Sequence, residues 1–156
     1  MRSSAFAALL VPLAATGCAG VGATHHADHA PAPSDGRVAV AFPEPMRTHT
    51  LANMRDHLLA LQEIQQALAG GAYERAADVA EKRLGMTSLR SHGAHDVARF
   101  MPEGMQSIGT GMHRSASRFA VEAANAGATG NARPALAALA RVTQQCVACH
   151  ASYRLK

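Results

Sequence analysis

Near the end of the chain stand Cys146-Val147-Ala148-Cys149-His150. Residues three apart share one face of a helix, so the two sulfurs can act on a single partner, and the imidazole beside the second can reach that partner too. Three chemistries use such a pair. A redox dithiol belongs beside a βαβ pattern, whereas an Ala- and Leu-rich helical run precedes this one. A structural zinc site needs four ligands, usually a second Cys or His pair at set spacing, and the one other cysteine, Cys18, lies far away near the N-terminus. The third chemistry takes the pattern as it stands. C-x-x-C-H is the attachment signature of a c-type haem. Cys146 and Cys149 then link to the two vinyl groups of one porphyrin and His150 supplies the proximal nitrogen to iron.

Other residues of metal-ligating type are scattered along the chain. His25, His26 and His29 stand close enough to share a copper or zinc ion, although a solvated tether is the simpler reading. His92 and His95 form an H-x-x-H, with Met101, Met105, Met112 and His113 nearby. Thioethers and imidazoles together suit copper, but methionine at helical spacing is commonly core filler.

The elements that must carry these groups are helices. The chain has 156 residues, no Trp, four Phe and two Tyr. Strand formers are thin and Ala dominates, which predicts an all-α domain with a core of small residues. A porphyrin would add much of the missing apolar surface. The formal charge of +4 comes with no basic run that would mark a nucleic-acid surface.

Periodicity predicts a first helix over about 46–69, with Leu51, Met54, Leu58, Leu61 and Leu68 as its apolar stripe, stopped by Gly70-Gly71. A second covers about 73–84, with Tyr73, Ala76, Ala77, Ala80 and Leu84 inward and Gly85 as the stop. A loop is expected over 86–101. The third helix starts near Pro102, buries Met105, Ile108, Met112, Phe119 and Ala123, and ends around 125–130. Gly104, Gly109 and Gly111 either weaken its first half or let something bulky approach the backbone. The fourth opens with Asn131 as N-cap and Pro134 in its first turn. Its stripe is Leu136, Leu139, Thr143, Cys146, His150 and Tyr153. Four amphipathic helices with mostly short connections predict an antiparallel four-helix bundle over 46–156.

Residues 1–17 read as a secretory leader, with Met1-Arg2 ahead of an apolar run over 5–15 that is too short to span a membrane. The run ends in Ala15-Thr16-Gly17-Cys18, which resembles a bacterial lipobox with Cys18 as the lipidated residue, Ala15 standing where Leu is usual. Conventional cleavage nearby is the alternative. Lipidation also explains why Cys18 lacks a partner. Residues 18–45, rich in Ala, Gly, Pro and His, read as an extended linker. The expected place is the periplasmic side, anchored to a membrane through that lipid, or else soluble in the periplasm.

Taken together, the chain resembles the class II c-type cytochromes, the cytochrome c-prime family, from about Met46 to Lys156. The residues that carry the likeness are Cys146-Val147-Ala148-Cys149-His150-Ala151-Ser152-Tyr153-Arg154 and the glycine-led turn Gly70-Gly71-Ala72-Tyr73-Glu74-Arg75-Ala76-Ala77. The resemblance implies a four-helix bundle with one covalent haem near the C-terminus. It also implies a place for Arg154 near the proximal haem edge, beside a propionate or the His150 side, with a solvated arginine as the plainer alternative. Homodimers occur in that family, often through the first two helices.

In such a bundle the first and last helices are antiparallel neighbours, which puts Met54 near the level of His150. Counting back from the Gly70 turn, the resemblance also sets Met54 at the family position facing the distal side. Met54 is therefore the expected second axial ligand, with Met105 and His57 as rivals. Thioether ligation leaves no open site and suits electron transfer. The expected function is that of a monohaem c-type cytochrome passing single electrons between redox partner proteins through small, short-lived interfaces. A five-coordinate or labile-ligand haem protein binding nitric oxide or another small gas is the alternative, and a periplasmic copper- or metal-handling protein the second. No acid/base constellation marks an enzyme, a peroxidase-like side activity of a high-spin form aside.

Overall fold

The structure is a computed structural model that describes residues 35–156, and these form one unit. It is mostly helical, as the composition requires. In chain order the elements are β1 (Val38–Val40), α1 (Glu44–Ala69), α2 (Tyr73–Arg83), a 3-10 turn (Met86–Leu89), α3 (Ala94–Ala98), α4 (Glu103–Thr129), α5 (Arg133–Ser152) and β2 (Tyr153–Leu155). The expected leader, Cys18, His25, His26 and His29 lie outside the described residues.

Local chemistry explains the helix ends. Pro43 and Pro102 sit in extended conformation just before α1 and α4, each followed by a glutamate in the first turn, where the missing proline N–H costs nothing and the acid meets the positive helix end. Gly130 closes α4 with φ of 72°, a left-handed conformation that glycine adopts without a Cβ penalty. Asn131 works differently from expectation. Its Oδ1 accepts a hydrogen bond from the Arg133 N–H at 3.1 Å, two residues on, so the cap residue of α5 is Ala132. Asn131 makes an Asx turn leading into the helix.

Most of the core is one cluster. Ala60, Ile64 and Ala67 of α1 meet Ala76, Val79 and Ala80 of α2, then Phe119 and Ala123 of α4 and Ala138, Leu139 and Val142 of α5. α2 packs against α1 and α4, and α4 against α5. Alanines at the contacts let helix backbones approach closely, and Phe119, Ile64, Leu84 and Val142 fill the space that remains. A second, smaller cluster joins Val40, Phe42 and Met105 to Met46, Phe100, Met101, Cys149, Tyr153 and Leu155.

The structure corrects several expectations. On α1 the buried residues are Thr50, Ala60, Ile64 and Ala67, whereas Met54 and Leu58 of the predicted stripe are exposed and Leu51 is partly so. On α5 the buried residues are Ala135, Ala138, Leu139 and Val142, while Leu136, Thr143 and His150 of the predicted stripe are exposed. Both shifts have one cause: periodicity weights large apolar residues, and these helices meet through small ones. The segment 86–101 contains the 3-10 turn and α3 rather than plain loop.

The unit also starts earlier than residue 46. Val38, Ala39 and Val40 pair in parallel with Tyr153, Arg154 and Leu155, and Val40 and Phe42 are buried. Tyr153 accordingly leaves the helix for a strand. Its hydroxyl lies against Gly104 of α4, where a Cβ would collide with it, which is the bulky approach that the glycine allows. The pairing of β1 with β2 ties the start of α1 to the end of α5.

Candidate functional site

α5 carries Cys146, Cys149 and His150 in its last two turns. Burial along α5 stops at Val142; Cys146 and Cys149 are half-buried and Val147 between them is 63 % exposed. Cys146 packs against the main cluster and Cys149 against the second one, so the two thiols stand where the clusters meet. Both are free. The Cys146 thiol donates to the Val142 carbonyl at 3.6 Å, and burial pushes both thiols above their ordinary pKa, with Cys146 adding to the effect at Cys149. A redox dithiol needs the opposite shift, toward thiolate.

Around His150 the backbone is held from outside the helix. The Arg37 guanidinium donates to the His150 carbonyl at 3.3 Å and to the Asp35 carboxylate at 2.8 and 2.9 Å. Those bonds hold the Asp35 carboxyl at a pKa of about 2. Arg154 reaches the same carboxylate, Nε 3.3 Å from Oδ2, off the hydrogen-bond direction. The structure thus sets Arg154 beside Asp35, a partner that the sequence reading had assigned to the linker. The imidazole of His150 is exposed.

Met54 lies on α1 at 37 % exposure and belongs to neither cluster, and Leu58 and Leu59 are 70 % and 50 % exposed. At about 100° per residue, the stripe Leu51, Met54, Leu58 and Leu61 lies roughly a third of a turn round α1 from Ala60, Ile64 and Ala67. Met105 is buried among the neighbours of Cys149.

His57 has different company. Its ring centroid lies 4.8 Å from that of His92 and 6.3 Å from that of His113, and those two are 5.4 Å apart. Burial first, and the neighbouring imidazoles second, hold His57 at a pKa of about 4; burial also lowers His92 and His113. The Arg83 guanidinium pins α2 to α1 beside this trio, bonding Asp56 and, at 2.8 Å, Glu63.

Of the His and Met residues grouped by sequence, the structure brings His92 to His113 and Met101 to the cluster of Met105, but not the two pairs to one place. His95 is fully exposed beside Asp96, Met101 and Met105 join the second cluster, and Met112 joins the main one. Sequence reasoning missed His57 as the third member. The available signal was its spacing: Thr50, His57 and Ile64 recur every seven residues on one face of α1.

No helix among the described residues is long and apolar enough to cross a membrane. Comparisons with protein families, with curated proteins and with solved structures find no match.

Proposed function

We propose that this chain is a monohaem c-type cytochrome of the cytochrome c-prime kind that carries single electrons on the periplasmic side of a bacterial membrane. Cys146 and Cys149 hold the haem, His150 and Met54 are its axial ligands, and α1, α2, α4 and α5 form an antiparallel four-helix bundle around it. One observation carries the reading. At the end where β1 and β2 join the start of α1 to the end of α5, both helices lose their cover together. α1 presents Met54 in its first half and Leu58, one turn on along the same face, at its middle, and α5 presents the half-buried thiols and exposed Val147.

Burying a leucine is worth about 1.5–3 kcal/mol, so an apolar stripe facing water is a poor arrangement for the protein side chains alone. A flat apolar group between α1 and α5 would cover it. The residues suit that group: two free thiols one helical turn apart, an imidazole next to the second, and on α1 an exposed thioether with a leucine one turn on. Each thiol would add across one vinyl group, sulfur to one carbon and hydrogen to the other, with no oxidant required. The bound haem would supply a reversible one-electron iron couple. His150 would anchor the proximal side, its backbone carbonyl held by Arg37, while the leucines of α1 keep water out.

The mature protein, made with a haem-attachment system, is expected to show a low-spin reduced spectrum that carbon monoxide leaves unchanged. Met54→Ala is expected to turn it high-spin and carbon-monoxide-reactive. A Met54→Ala protein that stays low-spin removes Met54 as ligand, and Met105→Ala and His57→Ala then test the rivals. A colourless protein removes the haem.

A second reading, binding of nitric oxide or a similar gas, is favoured by the exposure of Met54 and its absence from both packed clusters. A thioether without packing support is easily displaced. Rapid carbon monoxide binding by the unsubstituted reduced protein selects this reading over electron transfer.

A further inference from the structure

We propose that His57, His92 and His113 form a binding site for a borderline divalent transition metal ion, zinc(II) in the first instance, distinct from the C-x-x-C-H motif and independent of the haem reading. The three residues come from α1, from the turn between the 3-10 helix and α3, and from α4. A tetrahedral zinc with Zn–N near 2.0–2.1 Å places three imidazole centroids about 5.2 Å apart. The observed separations are 4.8, 5.4 and 6.3 Å, with rings inclined at 54°, 41° and 89° to one another. The rings are close and inclined rather than stacked.

Hydrogen bonding fixes which nitrogens are free. The Leu84 carbonyl can only accept, so His113 Nδ1, 2.7 Å from it, carries the proton. Ser88 spends its one hydroxyl proton on the Gly85 carbonyl at 2.7 Å, and its oxygen therefore accepts from His92 Nδ1 at 3.4 Å. Both rings thus keep a lone pair on Nε2. His57 Nε2 is itself buried and without a partner. An imidazole whose far nitrogen donates to a carbonyl or hydroxyl is the usual arrangement behind a metal-ligating histidine.

Buried polar atoms ordinarily find partners, and an ion would satisfy this one. Arg83, whose charge is felt at His57, is balanced by Asp56 and Glu63. As the side chains stand, no three His, Cys, Asp or Glu residues among the described ones are arranged to hold an ion. Closing the trio requires an approach of about 1 Å between the His57 and His113 rings, which a swing of about 25° in His57 χ1 supplies while the broad χ2 re-aims the nitrogen. Three imidazoles leave a fourth position for water or an incoming ligand.

The test uses the full chain as purified, with or without attached haem, and with His25, His26 and His29 changed to Gln so that the N-terminal histidines do not compete. Titration with zinc, and separately with copper(II), is expected to show one equivalent bound tightly. His57→Gln, His92→Gln and His113→Gln are each expected to weaken binding by about a hundredfold or more, and His95→Gln to leave it unchanged. Stoichiometric binding that survives all three substitutions, or none to the starting protein, overturns the proposal, as does an equal loss in His95→Gln. Zinc-edge absorption on the starting protein needs no ligand substitution. A first shell with three imidazole nitrogens supports the site, and an oxygen-dominated shell overturns it.

Discussion

The two ends of this helical unit are built on different terms. Where α1 ends and α5 begins, Ile64, Leu84, Phe119 and Val142 are sealed inside a cluster knitted together by alanines. From the middle of α1 back to its start, and toward the end of α5, the same two helices keep Leu58, Met54 and Val147 in water while a short strand pair holds the chain ends together. The first end is completed by the chain's own side chains. The second is closed only by the smaller cluster around Val40, Phe42 and Met105, with Met54 and Val147 left exposed, and there the chemistry-bearing residues stand. The larger buried cluster lies away from the thiols, and the smaller one lies where a large flat ligand is proposed.

That contrast can be broken most sharply at the sulfurs. Replacing Cys146 and Cys149 together by serine is expected to abolish covalent colour in the denatured protein, and to leave circular dichroism from the sealed end substantially intact. Loss of all helical signal would show that the sealed end does not stand by itself. Next in size is Phe119→Ala, expected to cost about 3–5 kcal/mol in denaturant unfolding, as large-to-small core changes do, while the visible spectrum keeps its form. A smaller effect sharpens the comparison further. Leu58→Ala should cost about 2 kcal/mol in the haem-loaded protein, where the side chain is covered, and close to nothing in the Cys-to-Ser protein, where it faces water. Equal costs in both would contradict the proposed placement of the haem.

The mildest prediction concerns the strand end. Asp35 has a folded pKa of about 2 against an ordinary 3.8, so the unfolded chain takes up its proton first. The contribution of Asp35 is fully present above about pH 4 and is lost as pH falls through 2. The Arg37 amide, which donates to Asp35 Oδ1 at 3.2 Å, should report a midpoint near 2 by nuclear magnetic resonance. Arg37→Ala should return Asp35 toward its ordinary value.

The long helices were legible because their punctuation is strong: Gly70-Gly71, Pro102, Gly130 and Pro134 bound helical runs. The C-x-x-C-H motif was legible for the same local reason. What sequence hid is non-local or small. Val38–Val40 is too short to signal a strand by itself, and its partner lies beyond the last helix. The buried faces of α1 and α5 were misplaced because alanine contacts carry little weight in a hydropathy pattern. The histidine trio draws on three separate segments, and only folding brings them within reach of one another.

The strand pair also dictates an order of events. Val38 and Tyr153 are neighbours across nearly the whole described chain, and closing so long a loop in an unstructured polymer costs on the order of 4 kcal/mol before any contact is gained. Once the helices have docked, that cost has already been met, so this clasp fastens last. Until it does, Cys149 lacks the cover of Val40, Phe42 and Leu155, and its thiol stays open to whatever machinery must handle it before the door shuts.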